Sequence, residues 1–244
     1  MLIDGGGLPE GRFDIGKNVI APILRGKKIR RIDYLVLTHP DPDHILGLNF
    51  IASTFSIGQF WHNGLPTDSE AYRQLGDTLS KNKIERLALN DGISLPSIHG
   101  VQVSVFNPPA EHERIKNRVP PSLNNDSLVL KLQFKNVSLL LAGDIEREAE
   151  YRMLRVDDPL MADILKIPHH GSASSSTPWF LEKVGPAYAI LSVGERNIGR
   201  LPDQEVLRRY QGIGCKIFRT DRQGAIKILT DGEKIEVTPF VAYP

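Results

Sequence analysis

The sequence has a single cysteine, Cys215, among 244 residues. One thiol excludes an internal disulfide and a zinc cluster built from several cysteines. Long apolar runs are also missing, because no stretch approaches the roughly 20 apolar residues that span a bilayer, and no signal-like start is present. We therefore expect a soluble chain in which Cys215 is a small core residue.

A strong charge of one sign is missing as well. The formal net charge is +1, with 24% charged and 41% hydrophobic residues. These values are typical of a globular protein, and they neither identify a nucleic-acid partner nor exclude a local basic groove. One basic run, residues 26–31, holds four cations and is interpreted as a solvated surface, with phosphate contact as the less favoured alternative.

A cluster of polar side chains follows the apolar run Leu35–Leu37. His39, Asp41, Asp43 and His44 lie within six residues, and two prolines between them are expected to stiffen the loop. Imidazole and carboxylate together suit zinc, manganese or iron. The alternative is that these residues only form a turn and cap a helix. Four candidate ligands after one buried strand favour the metal site.

Two further apolar strands end in candidate ligands. The predicted strand 137–142 is followed by Asp144, and the run 164–167 is followed by His169 and His170. Strands are also predicted near residues 59–61, 85–89, 101–106 and 128–134, with helices over 18–24, 69–82 and 146–154 and another from residue 45. Three strand ends with histidine or aspartate therefore form one metal-binding pattern.

The N-terminal segment is predicted to be the end of a strand that is followed by glycines. Asp4, beside three glycines, is interpreted as a turn residue, with an approach to the metal loop as the alternative. Because a domain seldom begins inside a strand, we expect that a pairing strand or a larger upstream region is missing here.

The combined motifs resemble the metallo-β-lactamase superfamily, and most closely the domain of ComEC-type competence proteins, which import transforming DNA. The resemblance implies one α/β (α+β) domain over residues 1–244, an αββα sandwich of two mixed sheets flanked by helices. The matching runs are Thr38–His44, Asn124–Val129, Leu165–Ser172, Ser192–Gly194 and Thr220–Ala225.

The resemblance also assigns the ligands of two divalent metal ions, manganese or zinc. His39 and Asp41 hold the first ion, while Asp43, His44 and His170 hold the second, and Asp144 bridges both. Asp43, Asp144 and His169 are the candidate catalytic residues. Four residues are candidates for substrate binding: Asn125, Lys166, Ser172 and Arg200.

Three positions depart from the family pattern. Most relatives carry histidine at the position of Asp41, and the remaining histidine ligand falls near Asn125. Oxygen ligands at these positions shift the preference of the first site from zinc toward manganese or magnesium. Arg200 replaces a family histidine; arginine grips phosphate but cannot act as a general acid near neutral pH.

The implied function is metal-dependent hydrolysis of a phosphodiester, with single-stranded DNA as substrate during competence DNA uptake. One alternative is a hydrolase of a small ester, lactone or thioester on the same fold. Another is a degenerate module that grips DNA without cleaving it. The family usually joins this domain to a membrane channel, so the parent protein is expected at the bacterial inner membrane, on a side that the sequence leaves open.

Overall fold

The computed structural model describes residues 1–8, 13–65, 67–111, 122–155, 159–195 and 201–242. By its internal contacts the chain divides into two compact units. The first takes in Met1–Asn90 and the segment that ends at Leu128, and the second takes in the rest of the described chain. The expectation that residues 1–244 form a single domain stays a prediction.

The first unit is built on a parallel sheet with the strand order β1-β2-β3-β4. Its strands are β1 (Leu2–Ile3), β2 (Arg31–Val36), β3 (Ser56–His62) and β4 (Glu85–Ala88). A π-helical turn, Gly16–Ile20, leads into α1 (Ala21–Gly26), and the longer helices are α2 (Pro42–Thr54) and α3 (Glu70–Lys81).

The core of the first unit lies between β2 and α2. Leu35 of the strand and Ile45, Leu48 and Ile51 of the helix are fully buried. The spacing of these helix positions places them on one face, which the strand covers. Because β1 and β2 are parallel and paired at Ile3 and Val36, the residues that follow both strands meet at one edge of the sheet.

The second unit contains a six-stranded mixed sheet with the order β10-β9-β8-β7-β6-β5. The strands are β5 (Gln102–Asn107), β6 (Val129–Phe134), β7 (Val137–Leu141), β8 (Ile164–Lys166), β9 (Tyr188–Leu191) and β10 (Lys216–Arg219). The helices are α4 (Arg147–Met153), α5 (Pro178–Val184), α6 (Gln204–Gly212) and α7 (Thr220–Gln223), and an antiparallel hairpin, β11 (Ile226–Thr230) and β12 (Ile235–Pro239), follows.

The topology of this sheet explains where its candidate ligands lie. β7 and β8 are parallel neighbours. Their carboxyl ends therefore meet at one edge, where β7 delivers Asp144 and β8 delivers His169 and His170. The buried cluster beneath includes Leu140, Leu165 and Phe180, so both strands are held by an apolar core.

Most predicted elements are confirmed, including the hairpin of β6 and β7 across Lys135 and Asn136. One boundary differs, because α2 begins at Pro42 rather than at Ile45. Proline is favoured in the first helical position, where its missing N–H costs nothing. The expected stiff loop therefore ends at Asp41, and Asp43 and His44 stand on the first turn of a helix.

Gly47 of α2 gives a stability test with a matched control. A Cβ at Gly47 would overlap the carbonyl oxygen of Gly5 and lie 2.8 Å from the Gly16 nitrogen, whereas a Cβ at Gly212 would meet nothing within 4 Å. We expect Gly47→Ala to lower the free energy of unfolding by about 3 kcal/mol or more. Gly212→Ala should raise it by about 0.5 to 1 kcal/mol, because alanine restricts the unfolded chain. Urea unfolding measures the free energy of unfolding of both variants. Equal changes in the two variants would contradict the close packing of α2.

Candidate metal centre

His44 is fixed by a carboxylate from the N-terminal strand. Its Nδ1 lies 2.7 Å from Oδ2 of Asp4. Asp4 also accepts hydrogen bonds from the backbone nitrogen and the hydroxyl of Thr38, both at 2.8 Å. An ionised carboxylate only accepts, so Nδ1 of His44 carries a proton, and Nε2 is the ring nitrogen through which a neutral His44 could bind a metal ion.

The electrostatics of Asp4 favour its ionised form. Burial alone would raise the pKa of Asp4, but the charge attraction and the hydrogen bond of His44, with the amide of Thr38, outweigh it. The pKa of Asp4 therefore lies below its ordinary value, and the carboxylate is ionised at neutral pH. The interpretation of Asp4 as a plain turn residue was wrong, and the alternative approach to the metal loop is confirmed.

The ring of His39 has one nitrogen atom available to a metal ion. Its side chain is fully buried, and within the described ranges its Nε2 has no hydrogen-bond partner. The other ring nitrogen, Nδ1, lies 3.1 Å from the Thr38 hydroxyl. A carboxylate oxygen of Asp41 lies 3.5 Å from Nε2. A buried imidazole nitrogen without a partner is costly in an apolar interior, and a metal ion would satisfy it.

Asn125 belongs to the same unit and is tied to the loop of His39. The backbone nitrogen of Leu128 donates to the carbonyl of Thr38 at 2.9 Å, and Asn63 donates to the carbonyl of Asp126 at 3.0 Å. Asn125 itself is 8% exposed. Its segment is thus anchored to the residue that precedes His39. The ligand role of Asn125 stays a prediction.

Asp144 in the second unit is held from one side by a lysine. Nζ of Lys166 lies 3.2 Å from Oδ1 of Asp144 and donates to the carbonyl of Gly143 at 2.9 Å. Both contacts fix the turn that follows β7, since Gly143 has a positive φ of 52°. Lys166, predicted to bind substrate, therefore also positions a predicted metal ligand.

His170 repeats the arrangement of His44 with another partner. Its Nδ1 lies 2.7 Å from the carbonyl oxygen of Ser192, which can only accept, so Nδ1 carries a proton. Its Nε2 lies 3.1 Å from Oδ2 of Asp144. His169 and His170 both adopt left-handed backbone conformations, with φ of 45° and 51°. Such conformations are uncommon outside glycine and concentrate at functional sites.

His169 is held by residues that the sequence did not single out. Nδ1 of His169 lies 3.3 Å from Oε1 of Glu146, which also accepts a hydrogen bond from the Ser174 hydroxyl at 2.8 Å. Ser172, predicted to contact substrate, lies with its hydroxyl 2.9 Å from that of Ser174. Glu146 follows a strand end, but no motif marks it, and only the fold brings it to His169. Arg200 lies outside the described residues.

The donor set fits a divalent metal ion. Imidazole nitrogens with fixed tautomers and neighbouring carboxylates are the ligands that zinc, manganese and iron take in proteins. Asp43 belongs to this set, with Oδ2 at 4.0 Å from Nε2 of His44. Each unit supplies such donors: the first has Asp43 and His44, and the second has Asp144 and His170.

Curated proteins with similar sequences carry competence names. The chain is 31% identical to ComE operon protein 3 of Bacillus subtilis over 95% of its length, and 28% identical to competence protein ComA of Neisseria gonorrhoeae over 85%. It spans only 28% and 27% of these relatives. Within the residues that the structure covers, no helix is long and apolar enough to cross a membrane.

Solved structures support the fold. The metallo-β-lactamase fold protein YhfI of Bacillus subtilis matches with a TM-score of 0.51 and 12% identity, covering 89% of this chain and 93% of that one. The β-hydroxylase CmlA, as its E377D mutant, matches with a TM-score of 0.51 and 16% identity, covering 78% of this chain and 43% of that one. At such identities these matches concern the fold alone.

The family model of the metallo-β-lactamase superfamily matches residues 1–195. This match confirms the predicted fold class, a mixed α/β fold of several sheets flanked by helices. It also agrees with the imidazole and carboxylate donors described above. The chain therefore belongs to the metallo-β-lactamase superfamily.

Proposed function

We propose that the protein is a metal-dependent phosphodiesterase that cleaves single-stranded DNA during DNA uptake. The observation that carries the proposal is the fixed orientation of His44 and His170. In each, an acceptor holds Nδ1, and a carboxylate lies near Nε2. The choice of a DNA phosphodiester comes from the competence names of the relatives.

The candidate ligands are proposed to bind two divalent ions. In this assignment His39 and Asp41 would hold the first ion, Asp43, His44 and His170 would hold the second, and Asp144 would contribute to both. Support comes from the superfamily membership, from the buried Nε2 of His39, and from the carboxylate beside each imidazole.

Two bound divalent ions would lower the pKa of a water nucleophile, hold it in line and stabilise charge on the leaving oxygen. The residues of the chain have separate tasks around them. Lys166 holds Asp144 in place and offers a cation for a phosphate oxygen. Ser172 and His169 lie in the turn after β8, where they are proposed to contact the scissile phosphate. Glu146 fixes the ring of His169 for that contact.

The first ion site is proposed to prefer manganese over zinc. Its predicted ligands include the carboxylate of Asp41 and the amide of Asn125, where most relatives carry imidazole. Oxygen donors favour harder cations than imidazole does, and fewer imidazoles weaken zinc binding. We expect the second site, with His44 and His170, to accept either metal.

Two other functions are open to the same fold. A hydrolase of a small ester, lactone or thioester needs the same ions but a different substrate pocket. A DNA-gripping module without catalysis is favoured by Asn125 and Arg200, which replace family histidines. From the resemblance to ComEC-type proteins we also propose a parent protein at the bacterial membrane, in which this domain accompanies a channel; the chain spans 28% of its Bacillus subtilis relative.

The central test is degradation of end-labelled single-stranded DNA with manganese, with zinc and with a chelator. We expect cleavage only with metal, and a loss of at least about 100-fold in Asp43→Ala and in His170→Ala, because each removes a ligand. Asp77→Asn, on the exposed face of α3, is the control and should cleave like the parent chain.

Each outcome of this test separates the candidate functions. Metal-dependent hydrolysis of a thioester without DNA cleavage would favour the small-substrate enzyme. DNA binding without cleavage of any substrate, from folded protein, would favour the gripping module. Full DNA cleavage by Asp43→Ala would contradict the metal assignment.

The role of Asp4 is tested by Asp4→Asn, which keeps the size of the side chain but removes the charge that orients His44. Orienting partners of metal ligands typically contribute 10- to 100-fold to metal affinity, so we expect manganese affinity to fall by about that factor. Calorimetric titration measures it, with Asp33→Asn as the control because Asp33 is exposed and pairs with Arg31. An unchanged affinity would show that Asp4 only supports the loop.

Arg200→His restores the residue that the family pattern expects. If the family histidine donates a proton to the leaving group, the variant should cleave faster, with an optimum near the ordinary pKa of histidine of about 6.5. The pH profile of cleavage distinguishes this from a mere phosphate contact. A rate that stays the same at every pH would make position 200 peripheral to the reaction.

A further inference from the structure

The first unit carries a cationic region that the proposed active site does not use. The 18 residues from Ile15 to Ile32 contain six lysines and arginines and no acidic residue. They form the π-helical turn, α1 and the connection to β2. A run of positively charged residues next to a helix is stabilised either by an anionic partner or by solvation in water. The cations are Lys17, Arg25, Lys27, Lys28, Arg30 and Arg31.

Three of these cations line one groove. Arg25, Lys28 and Arg30 surround it together with Ile29, Thr54 and Phe55. The Arg25 guanidinium lies 5.9 Å from the centre of the Phe55 ring. Within the described part of the chain no ion pair is formed by these three cations, whereas Arg31 pairs with Asp33 at 2.9 Å. The groove thus presents uncompensated positive charge.

The backbone fixes these cations in place. Lys28 has a positive φ of 58°, and its nitrogen donates to the carbonyl of Arg25 at 2.9 Å. Ile29 donates to the carbonyl of Leu24 at 2.9 Å. Cations also stabilise the carboxyl end of a helix such as α1, but that effect is confined to the last turn. Lys27, Lys28 and Arg30 all follow the helix, so this effect does not explain the whole run.

Aliphatic side chains project from the same segment. Val19 and Ile23 are 40% and 50% exposed. They stand four residues apart and so lie on one side of the helical segment. Exposed aliphatic residues beside a cluster of cations are the pattern of a helix that lies on a membrane surface.

We propose that this segment, residues 17–30, binds the surface of a membrane that contains anionic lipids. The cations would meet the phosphate headgroups, and Val19 and Ile23 would enter the boundary with the acyl chains. A nucleic-acid strand fits less well. Bases need exposed aromatic faces for stacking, whereas Phe55 is only 9% exposed and lies beneath Arg25.

The position of this segment determines which way the ligand loop would face when the segment is bound to a membrane. The cations precede β2, whereas the ligand loop follows it, and six strand residues separate the two ends by roughly 20 Å. A membrane bound at the cationic end would therefore leave His39 and His44 directed away from the lipid. The ligand loop would remain open to a water-borne substrate.

The test is flotation of the chain with vesicles of phosphatidylcholine, with and without phosphatidylglycerol. We expect binding only with phosphatidylglycerol, and weakening by salt because exposed charges are screened. Lys27→Gln, Lys28→Gln and Arg30→Gln together should lower the partition coefficient by about 100-fold, from about 1 kcal/mol for each cation. The control removes the same charge from the second unit, with Lys183→Gln, Lys227→Gln and Lys234→Gln, and should bind like the parent chain.

A second variant tests the apolar part. Val19→Ser with Ile23→Ser should weaken binding to the anionic vesicles while the far-ultraviolet circular dichroism of the protein is unchanged. Binding that survives this variant, or that the control abolishes equally, would overturn the proposal. So would binding of a single-stranded oligonucleotide that the three glutamines abolish while the vesicles stay unbound. Neither result depends on whether the metal site cleaves DNA.

Discussion

The candidate centre depends on one constraint: an imidazole that is to bind a metal ion through Nε2 must have its proton held on Nδ1. The carboxylate of Asp4 meets this constraint for His44, and the carbonyl of Ser192 meets it for His170. Each partner is supplied by a strand end or the residue after it, so the sheets determine the protonation pattern. Without the pairing of β1 with β2, the side chain of Asp4 would not reach the loop of His44.

The sequence predicted the parts of this arrangement that are local. Apolar strands followed at once by His39, Asp144 and His170 could be recognised because alternating or continuous apolar residues reveal strands. Most helices and strands were confirmed within a few residues for the same reason. The predicted start of α2 at residue 45 is later than the observed one at Pro42, because proline suits a loop and the first turn of a helix equally well.

The parts that were missed are those that only tertiary structure defines. Asp4 is 40 residues from His44, and its neighbouring glycines made a turn the simpler interpretation. Glu146 stands at the start of a helix, where acidic residues are common, and nothing local relates it to His169. Partners that orient a ligand carry no spacing rule, because their position depends on which strands are neighbours. The sequence therefore reveals candidate ligands more readily than the groups that fix them.

The left-handed conformations of His169 and His170 connect the fold to the chemistry. Two successive non-glycine residues with positive φ are unfavourable, and the surrounding contacts must hold them there. The carbonyl of Ser192 from the end of β9 holds the ring of His170, while Glu146 at the start of α4 holds that of His169. The same turn therefore directs two imidazoles to different tasks, one toward Asp144 and one toward Glu146. In the proposed function, this separation would let a single loop supply both a metal ligand and a group for the substrate, provided that β8 and β9 remain paired.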